Sequence, residues 1–282
     1  MPFETESDVL HWYDRQERVL TPAFLHTIPW HQVKDTVLHP KFVPVLLYMR
    51  DIERATEIYH DELRRSPTGQ DPVIRRFLDR WREEEVLHGD LHNRFLGEAG
   101  YPTENGWWEK FTTRLPRSYW RRKRQQAFFT RPFGHHFAAV HMAWGATQEL
   151  LTLSGYRRLW ESASHPVLEY LLRAIAREEA RHALFYWSVA RLKLARSRFS
   201  QRLARFLMDH FWKPVGEDIK SKAEANMLVT TLFGGHEGLI ELDSQVNRRI
   251  AELPGFQGFT RVRDRIREGQ KAISPSLHAK PC

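Results

Sequence analysis

The sequence predicts an all-α protein built around a four-helix bundle. Apolar residues recur at steps of three and four through most of the 282 residues, and no run alternates apolar with polar residues as a half-buried strand does. Two pairs of long helical segments flank an aromatic and basic stretch with three prolines, residues 101–132, which suits a crossover between helix pairs. No linker rich in Gly, Ser or Pro divides the chain, so we expect one domain over residues 1–272 and a loose tail at 273–282.

The helices are predicted in chain order from apolar spacing and from end signals. Asp71 is an N-cap residue followed by proline, and Pro166 opens a later helix in the same way. A Ser-Pro-Thr-Gly turn ends the first long helix. The predicted long helices cover residues 42–65, 72–97 (or to 100), 133 to the 150s, and 166–196. Additional C-terminal helices are expected near residues 199–212, 218–233 and 236–252.

Two Glu-x-x-His motifs lie on the second and fourth long helices. The motifs are Glu85 with His88 and Glu179 with His182. Side chains three residues apart are neighbours on a helix surface, so each motif presents a carboxylate and an imidazole on one face. One such motif on a charged helix usually denotes two solvated residues. A matched pair on two long, apolar-periodic helices instead predicts a metal site.

Each motif has a partner glutamate on the preceding helix. Glu53 precedes Glu85 by 32 positions, and Glu149 precedes Glu179 by 30 positions. Antiparallel helices joined by a turn bring residues about 30 apart to the same level. Four glutamates and two histidines therefore converge, which is the ligand set of dinuclear carboxylate proteins. Glu57 shares a face with Glu53 and is the alternative ligand from the first helix.

The ligand types indicate transition metals. Two divalent ions close together repel one another, and several carboxylates are needed to neutralise them in an apolar interior. Imidazole nitrogens favour iron or manganese over magnesium or calcium, which prefer oxygen. Glu84 and Glu178 neighbour the motif glutamates but point about 100° away, which suits roles behind the ligands or at the surface.

The charge balance predicts a preference for acidic partners. The chain has 43 Lys and Arg against 35 Asp and Glu, a net charge of +8, and its densest basic block lies at residues 114–126. Within it, Arg117 to Arg124 is the candidate docking segment, and a solvated surface with excess Arg is the alternative interpretation. Since no nucleic-acid-binding motif accompanies the block, we expect no nucleic-acid partner.

Cysteine content and hydropathy predict a cytoplasmic protein. The single cysteine, Cys282, excludes an internal disulfide and a Cys-based metal site, which favours a reducing compartment. The N-terminal segment lacks the basic and apolar regions of a secretory signal. No stretch approaches the roughly 18 apolar residues of a membrane span. We therefore expect no membrane span.

The stretch from Trp81 to Asn93 resembles the second-helix signature of the soluble acyl-acyl-carrier-protein desaturases, a family of ferritin-like diiron proteins. That family has a Trp, then Glu-Glu-x-x-His-Gly-Asp-Leu and an Asn at matching steps, and this chain reads WREEEVLHGDLHN. On the third helix, Glu149 and Thr152 match a ligand glutamate and a hydroxyl that the family places beside its oxygen-binding face. The fourth helix, with EEARH at residues 178–182, is similar to an acidic-Glu-x-Arg-His pattern. The resemblance covers roughly residues 43–193.

The resemblance implies a fold, a cofactor, partners and an activity. It implies a ferritin-like four-helix bundle with a crossover connection and a centre of two iron ions, Fe/Fe with Mn/Fe as the other possible pairing. It implies an O2-dependent enzyme that desaturates an acyl chain on acyl carrier protein, an acidic partner, with a ferredoxin-type electron donor and a homodimeric assembly. Thr152 is the implied catalytic residue, and Trp30 is a candidate for the family's electron-relay tryptophan. We expect an apolar acyl channel along the third and fourth helices, lined by Trp144, Leu153, Leu184 and Trp187. The metal ligands implied by the family are Glu53, Glu85, His88, Glu149, Glu179 and His182.

Two other functions fit the same ligands. A diiron oxygenase, either a hydroxylase or an N-oxygenase of specialised metabolism, keeps the metal and changes the substrate. An arylamine N-oxygenase is expected to have an additional His one turn before Glu179, but Ile175 occupies that position. A non-enzymatic ferritin-like iron-binding protein usually has smaller subunits that assemble into a shell.

Overall fold

The computed structural model describes residues 3–104, 106–115, 117, 119–121 and 130–273. In this part of the chain all regular structure is helical and no β-strand occurs, which confirms the all-α prediction. Among the same residues, none of the helices combines the length and the apolar character needed to cross a bilayer. The predicted tail after residue 273 lies outside the described residues, and so do residues 116, 118 and 122–126 of the basic block.

The α-helices differ greatly in length, and the two longest follow one another directly. In chain order they are α1 (Glu6–Asp14), α2 (Pro22–Thr27), α3 (Val43–Arg54), α4 (Thr56–Arg65), α5 (Pro72–Glu98), α6 (Trp107–Thr113), α7 (His135–Ala163), α8 (Pro166–Ala195), α9 (Arg198–Phe211), α10 (Lys222–Phe233), α11 (Gly235–Leu242), α12 (Arg248–Ala251) and α13 (Arg261–Ile273). Short 3-10 turns occur at Trp30–Asp35, Pro40–Phe42, Pro67–Gln70 and Arg131–Phe133, and a π-helical turn, Asp243–Asn247, joins α11 to α12.

The predicted starts of α5 and α8 are confirmed. The side chain of Asp71 accepts hydrogen bonds from the backbone N–H groups of Val73 (3.0 Å) and Ile74 (3.3 Å), and Pro72 is the first residue of α5. These bonds satisfy two of the N–H groups that a helix start leaves without a partner. With 27 and 30 residues, α5 and α8 extend for roughly 40–45 Å at about 1.5 Å per residue.

The first predicted long helix is two helices, α3 and α4, separated at Ala55. The backbone of Ala55 has φ −65° and ψ −9°, whereas an α-helix has ψ near about −42°. The N–H of Ala55 still donates to the carbonyl of Asp51 (3.0 Å), and its own carbonyl accepts from Ile58 (2.9 Å) and Tyr59 (3.2 Å). The apolar spacing continues across this single-residue irregularity, so the spacing alone does not reveal it.

The end of α7 differs from its prediction, and two N-terminal helices were not predicted. The helix continues to Ala163, where Ser164 adopts a left-handed conformation (φ 49°) and stops it, rather than ending in the 150s. These N-terminal helices are α1 and α2, and the short helix α6 within the predicted crossover was not predicted either. A capping box of Thr5 and Asp8 starts α1, which packs against α5 and α8.

Two helix pairs, α3 with α5 and α7 with α8, pack closely, and α5 also contacts α8. Glycines permit the close approach within each pair. A Cβ atom added at Gly89 of α5 would lie 2.9 Å from the carbonyl oxygen of Arg50 and 2.9 Å from the amide nitrogen of Arg54, both in α3. One added at Gly145 of α7 would overlap the ring of Tyr186 in α8. Both glycines lie within four residues of a predicted metal ligand, so these contacts position the site.

Candidate metal centre

The six predicted ligands are buried and form two overlapping groups. Within each group, one ligand atom from every member lies within 4.8 Å of the ligand atoms of the others. The first group is Glu53, Glu85, His88 and Glu179, and the second is Glu85, Glu149, Glu179 and His182. Two carboxylates, Glu85 and Glu179, belong to both groups. The arrangement thus offers two adjacent positions that share two carboxylates.

Four helices contribute these side chains. One glutamate comes from the last turn of α3 and another from the middle of α7, while α5 and α8 each contribute a Glu-x-x-His motif. The close packing of α3 with α5 and of α7 with α8 brings each glutamate beside the motif of the next long helix, as the 32- and 30-residue spacings predict.

Several buried atoms that face the cluster have no hydrogen bond. Nδ1 of His88 lies 3.0 Å from Oε1 of Glu179, and Nδ1 of His182 lies 3.0 Å from Oε1 of Glu85. Even so, both Nδ1 atoms, Oε1 of Glu85 and both oxygens of Glu179 lack a hydrogen-bond partner among the described residues. Each such buried atom costs about 1–3 kcal/mol if it stays unpaired. Metal coordination satisfies donor atoms that converge in this way, so these buried Glu and His groups can hold a metal ion.

The opposite nitrogen of each imidazole is paired. Nε2 of His182 lies 2.7 Å from Oε2 of Glu84, and Nε2 of His88 lies 3.1 Å from Oε2 of Glu178. When Nε2 carries the proton and donates it to the carboxylate, the lone pair of Nδ1 faces the cluster. Glu84 and Glu178 are fully buried, so they lie behind the ligands and the surface alternative is wrong.

Glu84 is held by α1 and by its own helix. The hydroxyl of Tyr13 donates to Oε2 of Glu84 (2.9 Å), and Nε of Arg80 donates to Oε1 (2.9 Å). Burial opposes the charged form of Glu84, but the hydrogen bonds and charges of His182 and Arg80 lower its pKa, which favours the carboxylate. No pattern in the sequence points to Tyr13, because its role depends on where α1 packs against α5 and α8.

Glu178 is held by the segment after α1. Its Oε1 accepts hydrogen bonds from the backbone N–H groups of Val19 (2.7 Å) and Leu20 (3.2 Å). The guanidinium of Arg181 lies 3.1 Å from the same oxygen. Burial and the charge of Glu84 raise the pKa of Glu178, but the hydrogen bond and charge of His88, with the bond from the backbone N–H of Leu20, lower it overall. The N-terminal segment therefore fixes both carboxylates that support the imidazoles.

Glu53 and Glu149 each belong to only one of the two groups, and each accepts a hydrogen bond from an aromatic side chain. The indole N–H of Trp81 donates to Oε1 of Glu149 (3.1 Å), and the hydroxyl of Tyr156 donates to Oε1 of Glu53 (2.5 Å). Tyr156 was not predicted, although it lies seven residues after Glu149 on α7 and so returns to the same helical face. In turn, Nε2 of His92 lies 3.0 Å from the hydroxyl of Tyr156.

Burial and mutual repulsion perturb the pKa values of the clustered carboxyls. Burial, followed by the charge of Glu179, raises the pKa values of Glu85 and Glu149 well above the usual range. Burial alone would lower the pKa of His88, but the carboxylates of Glu178 and Glu179 raise it to about 9. The raised pKa values favour the protonated forms of these groups, so a bound cation would compete with protons for them.

The remaining predicted residues lie outside the cluster. Glu57 binds Arg82 (3.0 Å) and the indole N–H of Trp108 (2.9 Å), so only Glu53 of the two candidates belongs to the cluster. Thr152 is half-buried one turn after Glu149, and its hydroxyl makes no hydrogen bond within the described part of the chain. Its catalytic role stays a prediction. Trp30 is buried, with the guanidinium of Arg94 4.1 Å from its ring centroid.

Comparison of the chain with protein-family models, curated proteins and solved structures found no match.

Proposed function

We propose that this protein is a dinuclear iron enzyme with a ferritin-like bundle, which uses O2 and external electrons to desaturate an acyl chain carried on acyl carrier protein. The observation that carries the proposal is the convergence of six buried side chains from α3, α5, α7 and α8 into two groups that share Glu85 and Glu179. The choice of an acyl substrate rests on the resemblance of residues 81–93 and on Thr152.

Charge supports a pair of cations rather than one. The cluster contains four carboxylates and two imidazoles, all buried. Four buried carboxylates with a single divalent ion leave uncompensated negative charge, whereas two divalent ions balance them. Mixed oxygen and nitrogen donors suit iron and manganese. We therefore propose Fe/Fe occupancy, with Mn/Fe as the other pairing.

The ligands that would hold the pair divide into bridging and terminal groups. Glu85 and Glu179 would serve both ions, because both groups contain them. Glu53 and His88 would serve one ion, and Glu149 and His182 the other. When bound, the metal pair would supply the oxidising power, drawn from O2, that removal of hydrogen from an unactivated alkyl chain requires.

The surrounding residues would orient the ligands and exclude water. Glu84 and Glu178 hold the proton of each imidazole on the side away from the cluster. Trp81 donates a hydrogen bond to one oxygen of Glu149, and Tyr156 donates one to an oxygen of Glu53. Thr152, one turn from Glu149, would hold a proton at its hydroxyl beside the reacting centre. The overall reaction balances because two hydrogens from the chain, two electrons and two protons reduce O2 to two waters.

Substrate and partners follow from the same proposal. The acyl chain would lie along α7 and α8, where Trp144, Leu153, Leu184 and Trp187 are partly buried. Acyl carrier protein is acidic, and the net charge of +8 favours its approach. A ferredoxin-type donor, a homodimer and a cytoplasmic location complete the proposal.

Product analysis tests the activity. The protein is loaded with iron, supplied with a ferredoxin reducing system and offered acyl carrier protein bearing acyl chains of several lengths, and the products are identified by mass spectrometry. We expect an alkene that requires O2 and reductant and that is absent from the Glu179→Ala variant. An oxygenated product without an alkene would favour the hydroxylase or N-oxygenase. Iron uptake without any product, in a large spherical assembly, would favour iron storage.

A further inference from the structure

The two terminal glutamates of the cluster depend on different neighbours. Glu149 accepts a hydrogen bond from the indole N–H of Trp81, and among the described residues this single bond is not extended to another residue. Glu53 receives its bond from Tyr156, whose oxygen is also bonded to His92. The two halves of the cluster are therefore built differently, although their ligands match one for one.

The bonds to Tyr156 have a definite direction. Its hydroxyl donates to the carboxylate of Glu53 at 2.5 Å, so the hydroxyl oxygen is free to accept. Nε2 of His92, 3.0 Å away, then donates to that oxygen. Both rings are fully buried and lie nearly parallel, with centroids 5.6 Å apart and planes at 22°. His92 thus fixes the position from which Tyr156 reaches Glu53.

Glu53 and Glu149 occupy different positions in their helices. Glu53 lies two residues before Ala55, where the helix is interrupted, whereas Glu149 is in the middle of the 29-residue helix α7. The bond from Tyr156 therefore restrains the carboxylate that lies next to the irregularity at Ala55.

We propose that Tyr156, supported by His92, is a positioning residue that controls the metal position of Glu53 and His88 separately from that of Glu149 and His182. The proposal rests on the proposed dinuclear site and specifies how its two positions are set. With one oxygen of Glu53 held by Tyr156, the carboxylate is restrained to one orientation toward the cluster. The two positions then differ in affinity, and substitutions that remove one aromatic donor weaken one of them.

A double-mutant cycle with Mn²⁺ tests the proposal without reference to activity. Bound Mn²⁺ is measured by equilibrium dialysis and metal analysis, and electron paramagnetic resonance distinguishes a spin-coupled pair from a single ion. We expect Tyr156→Phe, which removes one oxygen atom, to weaken one of the two binding steps about 10- to 100-fold and to replace the pair signal with a single-ion signal. The same substitution should have no further effect in a Glu53→Ala background and its full effect in a Trp81→Phe background.

Tyr48→Phe is the matched control. Tyr48 is equally buried and donates its hydroxyl to the carbonyl of Val215 (2.8 Å), away from the cluster, so its loss should leave both Mn²⁺ affinities unchanged. Far-UV circular dichroism checks that each variant folds, and His92→Phe should reproduce the effect of Tyr156→Phe in part. If Tyr156→Phe binds the pair with wild-type affinities, or weakens both steps equally, the positioning role is wrong and the dinuclear site stands. If wild-type protein binds no pair, the proposed function fails first.

Discussion

Nε2 of His182 in α8 lies 2.7 Å from Oε2 of Glu84 in α5, and the reciprocal pair, His88 of α5 with Glu178 of α8, is separated by 3.1 Å. Each helix therefore supplies the carboxylate that supports the imidazole of the other. The crossed pairs explain how two buried histidines can both turn Nδ1 toward one cluster, and why a further buried glutamate immediately precedes each metal-binding motif.

Removal of one supporting charge should weaken metal binding without removing a ligand. In Glu84→Gln, the side chain keeps its size but the amide is a poorer acceptor for the imidazole N–H, so we expect metal affinity to fall about 10- to 100-fold. The measurement is equilibrium dialysis against Mn²⁺. Glu83→Gln is the matched control, because Glu83 is the adjacent residue and its side chain is 63% exposed. Equal affinities in both variants would show that Glu84 does not support His182.

Loss of a shared carboxylate should remove the pair. Glu179→Ala deletes a side chain that belongs to both groups, so we expect no stoichiometric two-metal binding while the helical circular dichroism stays largely unchanged. Unaltered metal content in this variant would contradict the assignment of Glu179.

Metal removal should destabilise the wild-type protein only. A ligand that binds the folded state at 100 times its Kd adds about 2.7 kcal/mol to the free energy of unfolding. A chelator should therefore lower the melting temperature of metal-loaded wild-type protein, and it should leave Glu179→Ala unchanged. A chelator effect of equal size in both proteins would place the stabilising ion elsewhere.

Because α3 and α5 approach closely at Gly89, a side chain at this position should destabilise the protein. In Gly89→Ala the new Cβ would lie 2.9 Å from backbone atoms of Arg50 and Arg54, so α3 must move. We expect a loss of about 1–3 kcal/mol in the free energy of unfolding and weaker metal binding through displaced Glu53. Gly155→Ala in α7 is the control, because its Cβ would make only ordinary contacts at 3.5 Å. Urea denaturation compares the two, and equal stabilities would contradict the packing argument.

The ion pair at the start of α5 should stabilise the protein in a pH-dependent manner. Partial burial of Asp71 opposes its charged form, but the bond to Lys193 (2.7 Å) and the α5 backbone lower its pKa below the ordinary 3.8. Because the folded-state pKa is lowered, this contribution is present above about pH 3.8 and is lost as the pH falls through the folded-state value. In urea denaturation, wild-type protein should exceed Asp71→Asn in stability at pH 7, and the difference should shrink toward pH 3. A constant difference would contradict the assignment.

The ligands were predictable because their signals are local. Glu-x-x-His spacing follows from the helical repeat, and the 30- and 32-residue separations follow from two helices joined by a turn. The choice between Glu53 and Glu57 was not predictable, since the two share one helical face. Glu57 lies outside the cluster because it accepts hydrogen bonds from Arg82 and Trp108, which are distant in the sequence.

The supporting residues depend on contacts between distant parts of the chain. Tyr13 reaches Glu84 only because α1 docks against α5 and α8, and no periodicity in residues 6–14 encodes that position. The backbone N–H groups of Val19 and Leu20 carry no side-chain signal at all. Likewise, the interruption at Ala55 does not disturb the apolar spacing from which the first helix was predicted.

Anomalous X-ray diffraction from crystals of the iron-loaded protein, recorded at the iron absorption edge, tests the central claim most directly. We predict two anomalous peaks that mark two iron ions, both coordinated by Glu85 and Glu179. His88 and Glu53 should coordinate one ion, and His182 and Glu149 the other. An absence of peaks at this cluster, or iron bound only at other residues, would contradict it.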